Sequence, residues 1–154
     1  MLKYADILVS FQEVPDEITL CISITNCCNI CEGCHSPWLR EDSGTPLTYT
    51  ELTSLIKKNK GISCICFMGG DREPWEVVRL ATLVKEDFPT LKTAWYSGNS
   101  DSKYKYSFDY VKLGPYIKEL GPITEKTTNQ RMYMMLPDGE DRKHVLDITY
   151  KFWK

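Results

Sequence analysis

Residues 18–35 read ITLCISITNCCNICEGCH, and this stretch joins a strand pattern directly to a loop that holds four of the chain's seven cysteines. In its first seven residues, isoleucine or leucine alternates with threonine, cysteine or serine, which is the period of a strand with two different faces. Thr25 and Asn26 are polar turn residues that end the strand and lead into the cysteines. The stretch therefore predicts a strand with a cysteine loop at its carboxyl end.

The cysteine loop has the composition of a metal site. Cys27, Cys31 and Cys34 have the spacing C-x3-C-x2-C, which lets one short loop fold three sulfur atoms around a single soft metal centre. Thiolates select iron–sulfur clusters, zinc or Cu(I). Cubic iron–sulfur clusters usually have four cysteine ligands, so a loop with three leaves one iron open to a small molecule.

A structural zinc loop is the alternative interpretation of the same cysteines. His35 or Cys28 would then be the fourth ligand. Zinc sites usually pair one such half with a second, distant half. Beyond Cys66 the chain offers only His144 for that purpose. The spacing therefore favours a cluster over zinc.

Composition and charge exclude several classes of function. The chain has 154 residues, of which 42% are hydrophobic and 26% charged, enough for one domain with a core. The net charge of -2 gives no electrostatic footprint for nucleic acid. No apolar run approaches the length of a membrane span, and the first ten residues do not form a signal peptide. We expect a single cytoplasmic domain over residues 1–154 that binds neither nucleic acid nor membrane.

The cysteine count also argues against a disulfide framework. Seven is an odd number, and four of the seven are crowded into one loop. In a reducing compartment such a group is better explained by metal binding. Cys21, Cys64 and Cys66 lie in apolar strand patterns, where we expect small buried hydrophobes. Cys28 follows a predicted ligand and is interpreted as a bystander.

Strand and helix patterns alternate beyond the cysteine loop. Thr48 and Glu51 fit a capping box that opens a helix, and Gly61 ends it. A second helix over 74–88 starts with a proline, and we expect its buried side to hold Trp75, Val78, Leu80, Ala81, Leu83 and Val84. The predicted strands are 62–68, 91–96, 108–113, 132–136 and 145–153, with the last two paired as a hairpin.

This order of elements predicts the fold class. Alternating strands and helices form βαβ units with a mainly parallel sheet. The chain is too short for a complete eight-fold barrel, which needs about 250 residues. We therefore expect an α/β fold in the form of an open partial (β/α) barrel, with residues 5–14 as an extended lead-in.

Three loops are expected to share one site. The cysteine loop, Gly69-Gly70-Asp71 and Ser97-Gly98 each follow a predicted strand directly. Ligands of α/β sheets bind at the carboxyl ends of the strands. The paired glycines let the backbone approach a ligand without a Cβ in between.

The cysteine spacing resembles the signature of the radical S-adenosylmethionine (SAM) enzymes. In that superfamily the three cysteines hold a [4Fe–4S] cluster, and a Gly-Gly-Glu-Pro-like element after the second core strand contacts the amino group of SAM. The stretch Phe67-Met68-Gly69-Gly70-Asp71 resembles that element, with Asp71 in place of the glutamate and the proline displaced to Pro74.

Further motifs, in the same order along the chain, resemble the activating-protein family of anaerobic (class III) ribonucleoside-triphosphate reductases. They are Glu32-Gly33-Cys34-His35, Met68-Gly69-Gly70-Asp71, Trp95-Tyr96-Ser97-Gly98, Asp109-Tyr110-Val111-Lys112-Leu113-Gly114-Pro115-Tyr116 and Asn129-Gln130-Arg131. Lys112-Leu113 and Ser36 depart from the common pattern of the family. The resemblance covers nearly the whole chain and implies a barrel of the radical SAM type.

The resemblance also implies an activity. Such an enzyme cleaves SAM reductively to a 5′-deoxyadenosyl radical, which takes a hydrogen atom from a glycine of the large reductase subunit. The electron comes from a carrier such as flavodoxin. The implied metal ligands are Cys27, Cys31 and Cys34, and the implied SAM-binding residues are Gly69, Gly70, Asp71, Tyr96, Ser97 and Gly98.

Several alternatives stay open at this point. The chain could activate a different glycyl radical enzyme, or it could be a zinc-binding module without catalysis. A radical SAM enzyme for a small molecule is disfavoured, because so short a chain has no obvious domain to enclose the substrate. The roles of His35, Trp38 and Asn129-Gln130-Arg131 are also open: His35 as a site or loop residue, Trp38 as a shield or anchor, and the last three as ligand contacts or as a strand start.

Overall fold

The computed structural model of the protein describes residues 1–29, 31–34, 36–138 and 142–153, and all their side chains except those of 137, 138, 142 and 143. This part of the chain contains eight strands and two α-helices. The strands are β1 (Lys3–Ser10), β2 (Thr19–Ile24), β3 (Thr45–Pro46), β4 (Cys64–Met68), β5 (Lys92–Ser97), β6 (Tyr110–Leu113), β7 (Arg131–Asp138) and β8 (Arg142–Asp147). The helices are α1 (Tyr49–Lys58) and α2 (Pro74–Asp87).

The sheet is mixed, and the prediction of an open partial (β/α) barrel with a mainly parallel sheet was wrong. The strand order is β3-β1-β2-β4-β5-β6-β7-β8. The neighbouring pairs β2–β4, β4–β5 and β5–β6 are parallel, whereas the other four pairs are antiparallel. In the described residues, helices connect only β2 to β4 (α1) and β4 to β5 (α2), so the repeat that would build a barrel is missing from both ends of the sheet.

Irregular segments make the remaining connections. The predicted lead-in is strand β1, which pairs antiparallel with β2 from Tyr4 to Ser10. The polar loop after β5 leads to the parallel strand β6 through a short 3-10 turn, Lys105–Ser107. The predicted hairpin at the end of the chain is confirmed as β7 and β8, although residues Thr149–Phe152 form a 3-10 turn and not a strand.

Helix α1 has the predicted start. The hydroxyl of Thr48 accepts a hydrogen bond of 3.1 Å from the backbone N–H of Glu51, which caps the helix. The buried side chains are Leu52, Leu55 and Ile56, as the spacing predicts. They belong to the larger core cluster, which lies on the face of the sheet that both helices cover.

Helix α2 buries most of the predicted side, since Leu80, Ala81 and Val84 are buried, but Val77 is buried in place of Trp75. The buried side chains are Val77, Leu80, Ala81 and Val84, which have the i, i+3, i+4, i+7 spacing of one helix face. Trp75 is 59% exposed, so the prediction that it is buried was wrong. At about 100° per residue, Trp75 lies about 200° around the axis from Val77 and faces away from the core.

The opposite face of the sheet carries a second, smaller cluster. Cys21, Cys64 and Cys66 are buried there, as predicted for small hydrophobes. Burial raises the pKa of the Cys21 thiol to about 12 and raises the pKa of Cys66 well above its usual value. These thiols therefore stay protonated and act as core side chains.

The parallel strands place their carboxyl ends at one edge of the sheet. The cysteine loop follows β2, the Gly-Gly-Asp turn follows β4, and Gly98 follows β5. Strand β7 runs in the opposite direction and begins at the same edge. In the described part of the chain, we find no helix that is long and apolar enough to cross a membrane.

Candidate functional site

One carboxylate joins the three loops at this edge. Asp71 accepts hydrogen bonds of 2.5 Å from the Ser97 hydroxyl, 2.8 Å from the Gly98 N–H and 2.8 Å from the Asn29 side-chain amide. The donors belong to the end of β5 and to the cysteine loop, whereas Asp71 follows β4. The structure therefore brings together the three loops that the sequence assigned to one shared site.

This arrangement defines what Asp71 does in the structure. A carboxylate offers about four acceptor positions, and three are already used. Its position organises the loops, while the predicted contact with the SAM ammonium stays a prediction that would use the remaining acceptor position. Asn29 was missed at the sequence level. The one available signal was its place inside the cysteine loop, between Cys28 and the next predicted ligand.

Close packing explains the glycines of the site. A Cβ on Gly98 would lie 2.3 Å from Nδ2 of Asn29, and a Cβ on Gly70 would lie 2.5 Å from Cγ2 of Val77. Gly69 and Gly70 also have φ values of +112° and +92°, which L-residues rarely adopt. The Gly-Gly turn can therefore fold against β2 and α2 only without side chains.

Gly69 already uses both of its backbone polar groups. Its N–H donates to the carbonyl of Tyr96 at 3.0 Å, and its carbonyl accepts from the indole N–H of Trp95 at 2.8 Å. A carbonyl oxygen has a second lone pair, so Gly69 can still accept from a ligand ammonium. The predicted backbone contacts of Gly69 and Gly70 with SAM remain predictions.

Tyr96 and Ser97 lie on opposite faces of β5, because successive side chains of a strand alternate. Ser97 contacts Asp71, whereas Tyr96 belongs to the second core cluster. The Tyr96 hydroxyl donates to the backbone carbonyl of Glu13, and the Lys112 ammonium lies 4.4 Å from the centre of its ring. Burial raises the pKa of Tyr96 well above its usual value. Tyr96 is thus anchored beneath the loops, apart from the group around Asp71.

The cysteine loop is held by backbone hydrogen bonds. The N–H of Cys27 donates to the carbonyl of Leu39 at 2.9 Å, and the N–H of Cys34 donates to the carbonyl of Cys31 at 3.2 Å. The N–H of Ser36 donates to Sγ of Cys34 at 3.4 Å. Hydrogen bonds to cysteine sulfur are one of the means by which proteins set the reduction potential of iron–sulfur clusters.

The cysteine thiols of the loop are the type of ligand that a thiolate-bound metal centre needs. Cys27, Cys31 and Cys34 are free thiols of intermediate exposure, and Cys28 is exposed. Among the described residues, which do not include His35, no three Cys, His, Asp or Glu side chains converge as a preformed metal site. The loop would therefore have to close around the metal, a coupling of folding to binding that is common for metal-ligand loops.

Thiol protonation adds a further requirement. Burial is the main cause that raises the pKa of Cys27 above its usual value. A metal binds the thiolate form, so binding would release the proton from Cys27. The three cysteines are the residues of this chain that would hold a cluster.

The segment Asn129-Gln130-Arg131 lies at the same edge and fastens strands. The Asn129 side-chain amide donates to the carbonyl of Pro115 at 3.0 Å, and that of Gln130 donates to the carbonyl of Gly114 at 3.3 Å. Arg131 is the first residue of β7 and pairs with Asp147 at 2.7 Å. The structure thus gives these residues the role of a strand start.

A cavity of about 670 Å³ lies elsewhere, with a lining of Phe11, Gln12, Pro15, Asp16, Thr124, Lys151 and Phe152. Cavities of this size are the usual first candidates for ligand sites. This one shares no lining residue with the cysteine loop or with the group around Asp71, so the two features are separate.

Comparisons with known proteins add no assignment. No family model matches the chain, and neither the search of curated proteins nor the search of solved structures found a match. The site must therefore be interpreted from its own chemistry and geometry.

Proposed function

We propose that the chain is an iron–sulfur and SAM-dependent activating enzyme that generates the glycyl radical of anaerobic ribonucleoside-triphosphate reductase. The observation that carries the proposal is the Asp71 carboxylate, which ties the three-cysteine loop to the Gly-Gly turn and to Ser97-Gly98. When bound, the cluster supplies one electron for the reductive cleavage of SAM, and that cleavage supplies the oxidant for hydrogen abstraction from the reductase.

Each group of residues has a defined task in this proposal. Cys27, Cys31 and Cys34 hold the metal centre as thiolates. The backbone carbonyls of Gly69 and Gly70 accept from the ammonium of the methionine moiety. Asp71 fixes these two loops relative to each other, and its negative charge favours a cationic ligand nearby.

The mixed sheet is compatible with this activity. The proposed site needs the adjacent parallel strands β2, β4 and β5, and these are present. It does not need further βα repeats. Cys28 and Trp38 are exposed beside the loop, so the site lies at an open edge that a glycine-containing segment of the large subunit can approach. We place the reaction in the cytoplasm with a carrier such as flavodoxin as the electron donor, since seven free thiols suit a reducing compartment.

Anaerobic reconstitution tests the metal site first. The protein is incubated with iron and sulfide, and bound iron, bound zinc and visible absorption are measured. We expect a coloured iron–sulfur protein that releases 5′-deoxyadenosine from SAM when dithionite is added. Substitution of Cys27, Cys31 or Cys34 by alanine should remove both iron and cleavage, whereas Cys28→Ala is the matched control and should retain them.

Two outcomes would overturn the proposal. A colourless protein that binds zinc and no iron would be a zinc-binding module. Retention of iron and of SAM cleavage after loss of any of the three cysteines would disprove the ligand assignment.

The partner is tested separately by paramagnetic resonance. The reconstituted protein, SAM and dithionite are mixed with an anaerobic ribonucleoside-triphosphate reductase, and a glycyl radical signal is expected in the large subunit. A signal only with a different glycyl radical enzyme would retain the chemistry and replace the partner.

A further inference from the structure

Arg40 lies directly behind the cysteine loop. It is the last residue of the 3-10 turn Pro37–Arg40, and its Nη2 donates to the carbonyl of Cys31 at 3.0 Å. The backbone carbonyl of the preceding residue, Leu39, accepts a hydrogen bond of 2.9 Å from the backbone N–H of Cys27. One short turn therefore holds the backbone at both the first and the second predicted ligand.

The guanidinium of Arg40 is incompletely satisfied. Its Nε is buried and has no hydrogen-bond partner among the described residues. The ion pairs formed by this part of the chain do not include Arg40 either. An arginine is always charged in proteins, and buried donors without an acceptor are rare in folded proteins. A fixed positive charge with one free N–H thus lies at the backbone of the cysteine loop, next to the carbonyl of Cys31.

We propose that Arg40 is a positioning residue for the metal centre, with its Nε–H donating to a sulfur of the bound cluster. The inference rests on the proposed function, because it assumes that the three cysteines hold a cluster. Three bound thiolates would make that site anionic, and an anionic sulfur would give the buried Nε–H of Arg40 the acceptor that it lacks.

A consequence for the reduction potential follows. Net charge and hydrogen bonds to sulfur both set the potential of an iron–sulfur cluster. One-electron reduction adds one negative charge to the cluster, and the cation of Arg40 stabilises that charge. Arg40 therefore raises the reduction potential, which makes the electron easier to accept from the donor.

Arg72 provides a matched comparison. Its Nε donates to the carbonyl of Asn26 at 3.2 Å, so it also holds the backbone at the start of the cysteine loop. Arg72 is exposed, and its Nε already has an acceptor. Solvent screens an exposed charge, so the removal of Arg72 should change the potential less than the removal of Arg40.

The experiment compares the wild-type protein with R40Q, R40K and R72Q after anaerobic reconstitution. Iron per chain is measured, and the midpoint potential is determined by titration with dithionite, which supplies the electron. We expect the equilibrium constant for one-electron reduction to fall at least tenfold in R40Q, which is a shift of 59 mV. R40K keeps the charge but lacks Nε, so its shift should be smaller. R72Q should change the constant less than about threefold.

The outcomes separate this inference from the proposed function. A wild-type protein without iron overturns the function and the inference together. A wild-type protein with iron, combined with an iron-loaded R40Q of unchanged potential, overturns the role of Arg40 alone. If R40Q does not retain iron, R40K decides: a lowered potential supports the role, and an unchanged potential overturns it. If neither variant retains iron, thermal melting of the metal-free proteins decides, because unchanged melting supports a role at the metal loop and lowered melting shows a general structural role.

Discussion

Glu17 joins neighbouring elements at the amino ends of the parallel strands and Asp71 does so at their carboxyl ends, and the two carboxylates differ in their partners. At the amino ends, Glu17 accepts from the Ser63 hydroxyl at 2.7 Å and from the Tyr110 hydroxyl at 3.1 Å, and it pairs with Lys92 at 3.1 Å. These partners lie at the starts of β4, β6 and β5. At the carboxyl ends, Asp71 accepts from uncharged donors.

This difference separates a structural clamp from a candidate binding site. Glu17 is 8% exposed and its charge is balanced by Lys92, so the cluster is complete without a ligand. The ion pairs of the described residues do not include Asp71, which leaves its negative charge unbalanced beside the cysteine loop. A cationic ligand at the carboxyl end would balance the charge of Asp71, as Lys92 balances the charge of Glu17 at the amino end.

The largest predicted effect comes from removal of the carboxylate at the carboxyl end. Asp71→Ala releases Asn29, Ser97 and Gly98, so the cysteine loop loses its fixed position relative to the Gly-Gly turn. We expect SAM cleavage to fall at least about 100-fold, the effect of a displacement of about 1 Å at a reacting centre. The measurement is 5′-deoxyadenosine formation by the reconstituted protein. Asp101→Ala, at an exposed carboxylate, is the control, and equal activities of the two variants would contradict the prediction.

The corresponding change at the amino end should act on stability and not on cleavage. Glu17→Ala leaves the buried hydroxyl of Tyr110 without its acceptor, which costs about 1–3 kcal/mol, whereas the half-buried hydroxyl of Ser63 can still donate to the carbonyl of Ile18 at 3.4 Å. Lys92 is 53% exposed, so its ion pair contributes little. We expect a loss of about 2 kcal/mol in the free energy of unfolding, measured by urea denaturation.

Two further measurements sharpen the comparison of Glu17 with Asp71. Glu17→Gln retains one acceptor oxygen and should recover part of the lost stability. Below its melting temperature, the Glu17→Ala protein should retain iron and cleave SAM. Loss of iron in a folded Glu17→Ala protein would show that the two ends are coupled and that Glu17 is more than a structural clamp.

The sequence predicted the local elements and their common edge well. The cap at Thr48, the buried strand around Phe67 and the strand ending at Ser97 follow from periodicity and short-range hydrogen bonding. Because these patterns depend on residues close together in the sequence, the elements that they predict are present in the folded structure. The three loops of the site could be assigned to one edge for the same reason, since each follows a parallel strand directly.

The relative directions of several strands and the partners of Asp71 could not be predicted from the sequence. A strand pattern is the same whether its neighbour is parallel or antiparallel, so the antiparallel pairings of β1 with β2 and of β7 with β6 were missed, whereas the β7–β8 hairpin was predicted. The exposed face of Trp75 depends on the phase of α2, which one apolar residue near the helix start does not fix. Asn29 and Glu17 act through contacts with residues distant in the sequence, and no spacing rule marks them.

A smaller effect is expected from Gly98→Ala, which tests the contact between Asn29 and Asp71. The new Cβ would lie 2.3 Å from Nδ2 of Asn29, so that side chain must move and its bond to Asp71 breaks. We expect about 1 kcal/mol of lost stability and about a tenfold loss of SAM cleavage. In a double-mutant cycle, Asn29→Ala should make Gly98→Ala nearly neutral, because the clash is removed. Additive losses in the cycle would show that Gly98 acts through other contacts.

The smallest effect is expected from Glu76→Gln on the outer surface of α2, which measures how much a solvent-exposed ion pair contributes to stability. The hydrogen bond from Arg79 is the main cause that lowers the pKa of Glu76 below its usual value. Since the pKa is lowered in the folded state, the stabilisation is present above the unfolded-state pKa and is lost as the pH falls through the lowered pKa. Arg79 is 53% exposed, so Glu76→Gln should cost no more than about 0.5 kcal/mol at neutral pH. Urea denaturation of both proteins should show this difference disappearing in acid, and a difference independent of pH would mean that the side chain acts through packing and not through charge.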